Sequence, residues 1–184
     1  HTMGPMVAAA RFLDMLRAAP FTAYGLKASL HGSLAFTGAG HATDRATILG
    51  LAGFLPDTYD ETKAEAALAA INADKEVIND GLPNLRFDPA ADLIFDYDTR
   101  LTGHANGMRL RATDAQGDVI LSQVFYSIGG GFILTEQELQ NGAATEEGAP
   151  VPYPFKSANE MMEMSTKSGK TIAQMKEANE LSRR

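Results

Sequence analysis

The stretch MRLRATDAQGDVILSQVFY, residues 108 to 126, decides how this chain folds. Its arms, MRLRAT and VILSQVFY, read as strands. Between them Asp114-Ala115-Gln116-Gly117-Asp118 is polar and contains glycine, the composition of a hairpin turn. Upstream, Leu85-Arg86-Phe87 and the run from Ala91 to Tyr97 read as short strands. Downstream, Gly129-Gly130-Gly131 precedes Phe132-Ile133-Leu134, and three successive glycines mark a place where bare backbone packs tightly.

Helices surround this β-rich centre. Residues 5 to 18 place Met6, Ala10, Leu13 and Leu16 at helical spacing against Arg11, Asp14 and Arg17, with Pro5 suited to a first helical position and Pro20 to a stop. The pattern from Leu26 to Thr37, with a glycine in its middle, predicts a strand bearing a bulge or a close neighbour, turned by Gly38-Ala39-Gly40. From His41 to Gly53, Ala42, Ala46, Leu49 and Ala52 share one helical face; residues 60 to 72 make a second consecutive helix with acidic residues in its first turn. A polar loop is expected from Asn141 to Pro154. Ser157/Glu160 and Thr171/Gln174 then stand at capping-box spacing, predicting a C-terminal helical hairpin. Helices and strands without strict alternation predict an α+β fold with a mixed or mainly antiparallel sheet.

A chain of 184 residues, 45% hydrophobic, can bury one sizeable core plus a small appendage, which we divide at residues 1–155 and 156–184. A net charge of −7 argues against nucleic acid or an anionic membrane as a partner. The apolar runs fall short of the roughly 20 residues that span a bilayer, and the first residues carry no secretory pattern, so a cytoplasmic location is expected. Beginning at a His without Met, the sequence is expected to start partway through a longer protein. No cysteine is present, which removes disulfides and thiolate-held clusters from the chain's own chemistry.

Familiar motifs fail. Gly38-x-Gly40-x-x-Thr43 lacks the third glycine of a dinucleotide loop and is followed by two helices instead of a βαβ unit. Gly169-Lys170-Thr171 resembles the end of a P-loop, but Met164 stands where its first glycine belongs, leaving a helix–helix turn. Phe125 occupies the glycine position of a nucleophile elbow at Ser127. His1, His31, His41 and His104 show none of the short zinc spacings, so no metal is assigned to this chain. His1, His41 and His104 sit in turn-like sequence, where functional side chains are commonly carried; His31, inside an apolar strand, reads as structural.

Five blocks, in order, resemble the signatures of the iron-sulfur L-serine dehydratase family. They are HTMGPM (1–6), GSLAFTGAGHATD (32–44), HANGM (104–108), YSIGGGFI (126–133) and VPYPFKSA (151–158). The resemblance implies a β-chain domain, similar to the allosteric substrate-binding domain of phosphoglycerate dehydrogenases. A following α domain, in cis or as a separate chain, would hold a [4Fe-4S] cluster, with Asn179-Glu180 near the connection. It also implies a homodimer, and a chain inactive by itself. The family usually has serines before the His-Thr pair and Tyr where His31 stands; the first are absent here and the second departure touches local packing.

The implied reaction converts L-serine to pyruvate and ammonia, removing an unactivated Cα proton and expelling hydroxide. That needs an electron-withdrawing group, which the family supplies as iron. This chain's share would be positioning and proton transfer. His41, after Gly38 and Gly40 at a helix N-terminus, is the candidate general base or substrate anchor. His1, Thr2, Thr43, Asp44, His104 and Asn106 are the candidate substrate contacts, although first-turn preference explains Thr43 and Asp44, and an Asn-Gly turn explains Asn106. Two other readings stand beside this one: an amino-acid-binding regulatory domain without chemistry, and a half that is purely structural.

Overall fold

The computed structural model describes residues 1–142, 151–155 and 157–182, so most of the expected loop from Asn141 to Pro154 lies outside the described residues. The chain divides into two units, His1–Gly142 and Ala143–Arg184.

The first unit is α+β. Its helices are α1 (Met3–Arg17), the single turn α2 (Ser33–Phe36), α3 (Thr43–Leu51), α4 (Glu61–Asp74), the single turn α5 (Pro89–Asp92) and α6 (Glu136–Gln140). Its strands are β1 (Gly25–Gly32), β2 (Glu76–Val77), β3 (Leu85–Arg86), β4 (Leu93–Asp96), β5 (Asn106–Thr113), β6 (Val119–Gly129) and β7 (Phe132–Thr135). They form one mixed sheet ordered β2-β3-β1-β5-β6-β7, with β4 also on β1. The expected hairpin is its centre: β5 runs antiparallel to both β1 and β6. Asp114 Oδ1 closes the turn by accepting from the amides of Gln116 and Asp118, both at 2.9 Å.

Strand β1 ends earlier than the sequence pattern predicts. Gly32 adopts φ +56°, and a Cβ there would stand 2.3 Å from the Ala105 carbonyl oxygen, so the chain leaves the sheet and coils into α2. The expected strand from Ala91 begins at Leu93 because Asp88 caps a helical turn led by Pro89, accepting from the Ala90 amide at 3.0 Å. On the parallel edge Arg86 lies opposite Gly25 and Leu93 opposite Ala28, seven steps against three. The four extra residues correspond to α5, so β3 and β4 act as one strand beside β1 with a looped-out turn, covered by β2 along β3. Strand β2 had no recognisable signal. The Gly129-Gly131 run corrects the expected reason for its glycines: all three have positive φ, and a Cβ on Gly129 would meet nothing within 4 Å. Backbone conformation at the β6–β7 reversal requires them, and tight packing does not.

Helix α1 starts at Met3, two residues before the predicted start; Pro5 sits in the first turn, where no amide donor is needed. It buries Ala8, Ala9, Phe12, Leu13 and Leu16 in one cluster with Leu26, Leu30, Met108, Leu110 and Phe125 of the sheet. Ala10, placed on the apolar face by the sequence, is half-buried. Helix α3 is shorter than expected but buried on more sides, from Thr43 through Leu51 apart from Asp44 and Arg45. It packs on α1 where Gly50 meets Met6 and Ala9; a Cβ on Gly50 would lie 2.3 Å from the Met6 carbonyl oxygen and 2.7 Å from Ala9 Cβ. At the other end of the unit, Thr135 and Glu138 form a capping box on α6, and Glu138 also receives Arg11 of α1 in a fork at 2.5 and 3.1 Å.

In the second unit, α7 (Ala158–Ser168) is capped by Ser157 and α8 (Ile172–Leu181) by a full Thr171–Gln174 box, as the spacing predicts. Gly169 and Lys170 form the turn between them, matching the expected helix–helix connection. Asn179 binds the backbone of Tyr153 twice, donating to its carbonyl at 2.7 Å and accepting from its amide at 2.8 Å. No helix among the described residues is long and apolar enough to cross a membrane.

Substituting Gly50→Ala forces α1 and α3 apart and is expected to cost about 1–3 kcal/mol, measured as a lower urea midpoint at unchanged m-value. Glu138 gives a pH signature. The Arg11 guanidinium, then the Thr135 amide, hold its carboxyl at about 2 instead of 4.5. A depressed folded-state value stabilises fully above the ordinary carboxylate range and is lost as pH falls from about 4.5 toward about 2. Both partners are 40% exposed, so screening limits the effect. Unfolding free energies from urea titrations should separate wild type from Glu138→Gln by about 1 kcal/mol at pH 7, converging toward pH 2.

Candidate functional site

The candidate residues arrive on chain-distant segments. Thr2 holds the N-cap position of α1, yet its side chain caps no helix amide. Its hydroxyl donates to the His41 carbonyl at 2.8 Å, tying the start of the chain to the turn before α3. The His1 and His41 rings stand 5.0 Å apart, tilted at 43°. His1 Nε2 lies 2.9 Å from the Ser33 hydroxyl oxygen, just past the end of β1. Three segments therefore converge on two imidazoles and two hydroxyls.

His41 ends a 3-10 turn, Ala39–His41, two residues before α3, and is exposed. Two amides in this region are occupied: those of His41 and Thr43 both donate to the Gly38 carbonyl at 3.0 Å. Ala42 between them holds a left-handed φ of +51°, a conformation that costs an L-residue about 1 kcal/mol and aims the chain into α3. Thr43 is wholly buried and its hydroxyl has no hydrogen-bond partner among the described residues. Asp44 is half-exposed in the first turn of α3.

His104 and Asn106 lie across Ser33 from His1. The Ser33 amide donates to the Ala105 carbonyl at 2.8 Å, and Asn106 faces Gly32 in the β1–β5 register. His104 is exposed and its Nδ1 accepts from the Asn106 amide at 3.1 Å. Asn106 opens strand β5, which replaces the expected Asn-Gly turn, and its side-chain amide donates to the Ser127 carbonyl at 3.1 Å. The structure thus joins His1, Thr2 and His41 directly and reaches His104 and Asn106 through Ser33. Ser33 was missed by sequence reasoning; the glycine before it, at the end of a strand, was the available signal.

A cavity of about 680 Å3 opens between the end of β1 and the segment 97–105, lined by His31, Ser33, Phe36, Tyr97, Arg100 and His104 among others. A smaller apolar slot of about 250 Å3 lies beside Ala42, between Met3, Met6, Leu49, Pro56 and Tyr59. Arg45 at its rim is already committed, donating to Glu65 at 2.6 Å, Tyr59 at 2.8 Å and Glu61 at 3.0 Å. The Tyr59 hydroxyl, then Glu65, push its guanidinium further toward the charged form. Glu61 is lowered in turn, first by Tyr59 and then by the charge of Arg45. Nothing here fits a metal: the chain has no cysteine, and no group of three or more His, Asp or Glu among the described residues could hold an ion. What the arrangement offers is imidazoles that accept or donate protons and hydroxyls that orient a small polar ligand.

Residues 1–138 match the family described as serine dehydratase beta chain. The chain is 39% identical to the L-serine dehydratase of Helicobacter pylori J99 across 95% of its own length and 38% of that protein's. It is 38% identical to L-serine dehydratase TdcG of Escherichia coli K12, and 32% to the L-serine dehydratase of Streptomyces coelicolor. It covers 40% of each of these two proteins, so the chain spans about two fifths of the length of the curated relatives it matches. On this ground the chain belongs to the serine dehydratase beta chain family.

Proposed function

We propose that this chain is the substrate-positioning and proton-transfer part of an L-serine dehydratase, which converts L-serine to pyruvate and ammonia. The observation that carries the reading is the convergence of His1 and His41, with Ser33 at hydrogen-bond distance from His1, within a chain of this family. In this reading a neutral His41 imidazole accepts a proton from the substrate or anchors it, and its exposure leaves the ring accessible. His1, Thr2, Asp44, His104 and Asn106 orient the substrate's polar groups. Thr43, fully buried, acts from beneath the turn.

The electron-withdrawing group, a [4Fe-4S] cluster by family resemblance, would be held outside this chain, whose sequence has no cysteine to ligate it. Its partner is then an α portion, in cis or as a separate chain, in an assembly we expect to be a homodimer. His41→Ala in the full-length protein is expected to lower kcat by about 10²–10⁴-fold. Unchanged kcat and KM would remove His41 from the chemistry.

A second reading, a sensor domain that binds an amino acid without acting on it, is favoured by one observation: the large cavity is built wholly within the first unit. Titration calorimetry of this chain with L-serine separates the two. The dehydratase reading predicts no binding tighter than millimolar without the α portion; tighter binding favours the sensor.

A further inference from the structure

We propose that His31 is a positioning residue that fixes the segment 97–105, and with it His104, against the cavity. The inference deepens the reading above, since the use of His104 rests on it; the anchoring itself rests on geometry alone.

His31 is 1% exposed and forms part of the cavity lining, so it is more than core filler. Its Nδ1 lies 3.0 Å from the Thr99 carbonyl oxygen, which can only accept, so Nδ1 carries a proton. In the neutral ring Nε2 is then an acceptor, and the Ser29 hydroxyl 2.8 Å away donates to it. Ser29, two residues back on the same face of β1, thereby satisfies Nε2 in the tautomer that the Thr99 carbonyl selects.

The grip matters because the segment has no regular secondary structure to hold it. From Tyr97 to Ala105 every residue except Leu101 is exposed, and none lies in a helix or strand. At its start the Tyr97 ring lies 5.3 Å from that of Phe36. Asp96 Oδ1 accepts from the amides of Thr99 at 2.7 Å and Asp98 at 3.1 Å, and these bonds, with Thr99 first, lower its carboxyl. The Asp96 carboxylate also approaches His31 Nδ1, at 3.6 Å. Farther on, the Gly103 amide donates to the buried Tyr126 hydroxyl at 3.1 Å, immediately before His104, and the Ala105 carbonyl accepts from Ser33. His31 and Asp96 thus clamp Thr99 from its carbonyl and amide sides, at the end of the segment farther from the sheet contact of His104.

The test compares wild type with His31→Phe, which keeps an aromatic ring and loses both hydrogen bonds, and His31→Asn, whose side-chain amide can donate from near the place of Nδ1. In NMR hydrogen exchange on this chain, His31→Phe should speed exchange of the Thr99 amide at least about tenfold and shift the His104 ring signals, while β1, β5 and β6 amides keep their protection; His31→Asn should restore both. In the full-length enzyme His31→Phe should lower kcat/KM about 10–100-fold, with His31→Asn closer to wild type. Unchanged exchange at Thr99, protection lost throughout the sheet, or no rescue by Asn would overturn the proposal. Normal kinetics with a loosened segment would overturn the link to catalysis. If exchange behaves as expected but the full-length wild type does not act on serine, the anchor stands and the dehydratase reading falls.

Discussion

The close approach of α1 and α3 is the constraint from which the rest of the first unit follows. At Gly50 the two backbones come nearer than any side chain allows, with the Met6 carbonyl facing bare Cα. The first turn of α1 is preceded by His1 and Thr2, and α3 is preceded by His41, so the distance between these helices also sets the distance between the imidazoles. The Thr2 hydroxyl then spends its bond on the His41 carbonyl, where an ordinary N-cap would spend it on its own helix. Packing in the core and geometry at the candidate site are the same fact seen at two ends of a helix pair.

The electrostatics point the same way. Arg45, beside the turn that carries His41, is saturated by Glu61, Glu65 and Tyr59, and Arg11 is taken by Glu138. These cations hold helices together and are not offered to a ligand. The bonds made at the site by His1 and Thr2, to the Ser33 hydroxyl and the His41 carbonyl, run to neutral partners.

Much of this was legible in the residues, and the gaps have physical causes. The β5–β6 hairpin, α1, α4 and the helical hairpin follow from local pattern and capping chemistry, which depend on neighbours in sequence. The end of β1 did not, because Gly32 turns there in close approach to the Ala105 carbonyl, which accepts from the Ser33 amide, more than seventy residues away. His31 read correctly as a buried strand residue, but its bond to Thr99 is tertiary and left no local trace. The glycine run was recognised as special for the wrong reason, since sequence alone does not separate a need for positive φ from a need for space. His41 and His1 were each selected as candidates, while their adjacency is a product of helix packing that no spacing rule encodes.

The interrupted strand formed by β3 and β4, covered by β2 only along β3, has a consequence for how the protein behaves in a crowded solution. A long, flat, unpaired edge would let a neighbouring molecule add itself strand by strand. Here β4 offers four residues after a looped-out turn, and at the opposite margin β7 offers another four beyond the triple-glycine reversal. Both margins are too short to template fibril growth, even though Ile94 and Phe132 on them are largely exposed. The same turn that complicates the sheet in sequence therefore helps to keep its molecules from aggregating.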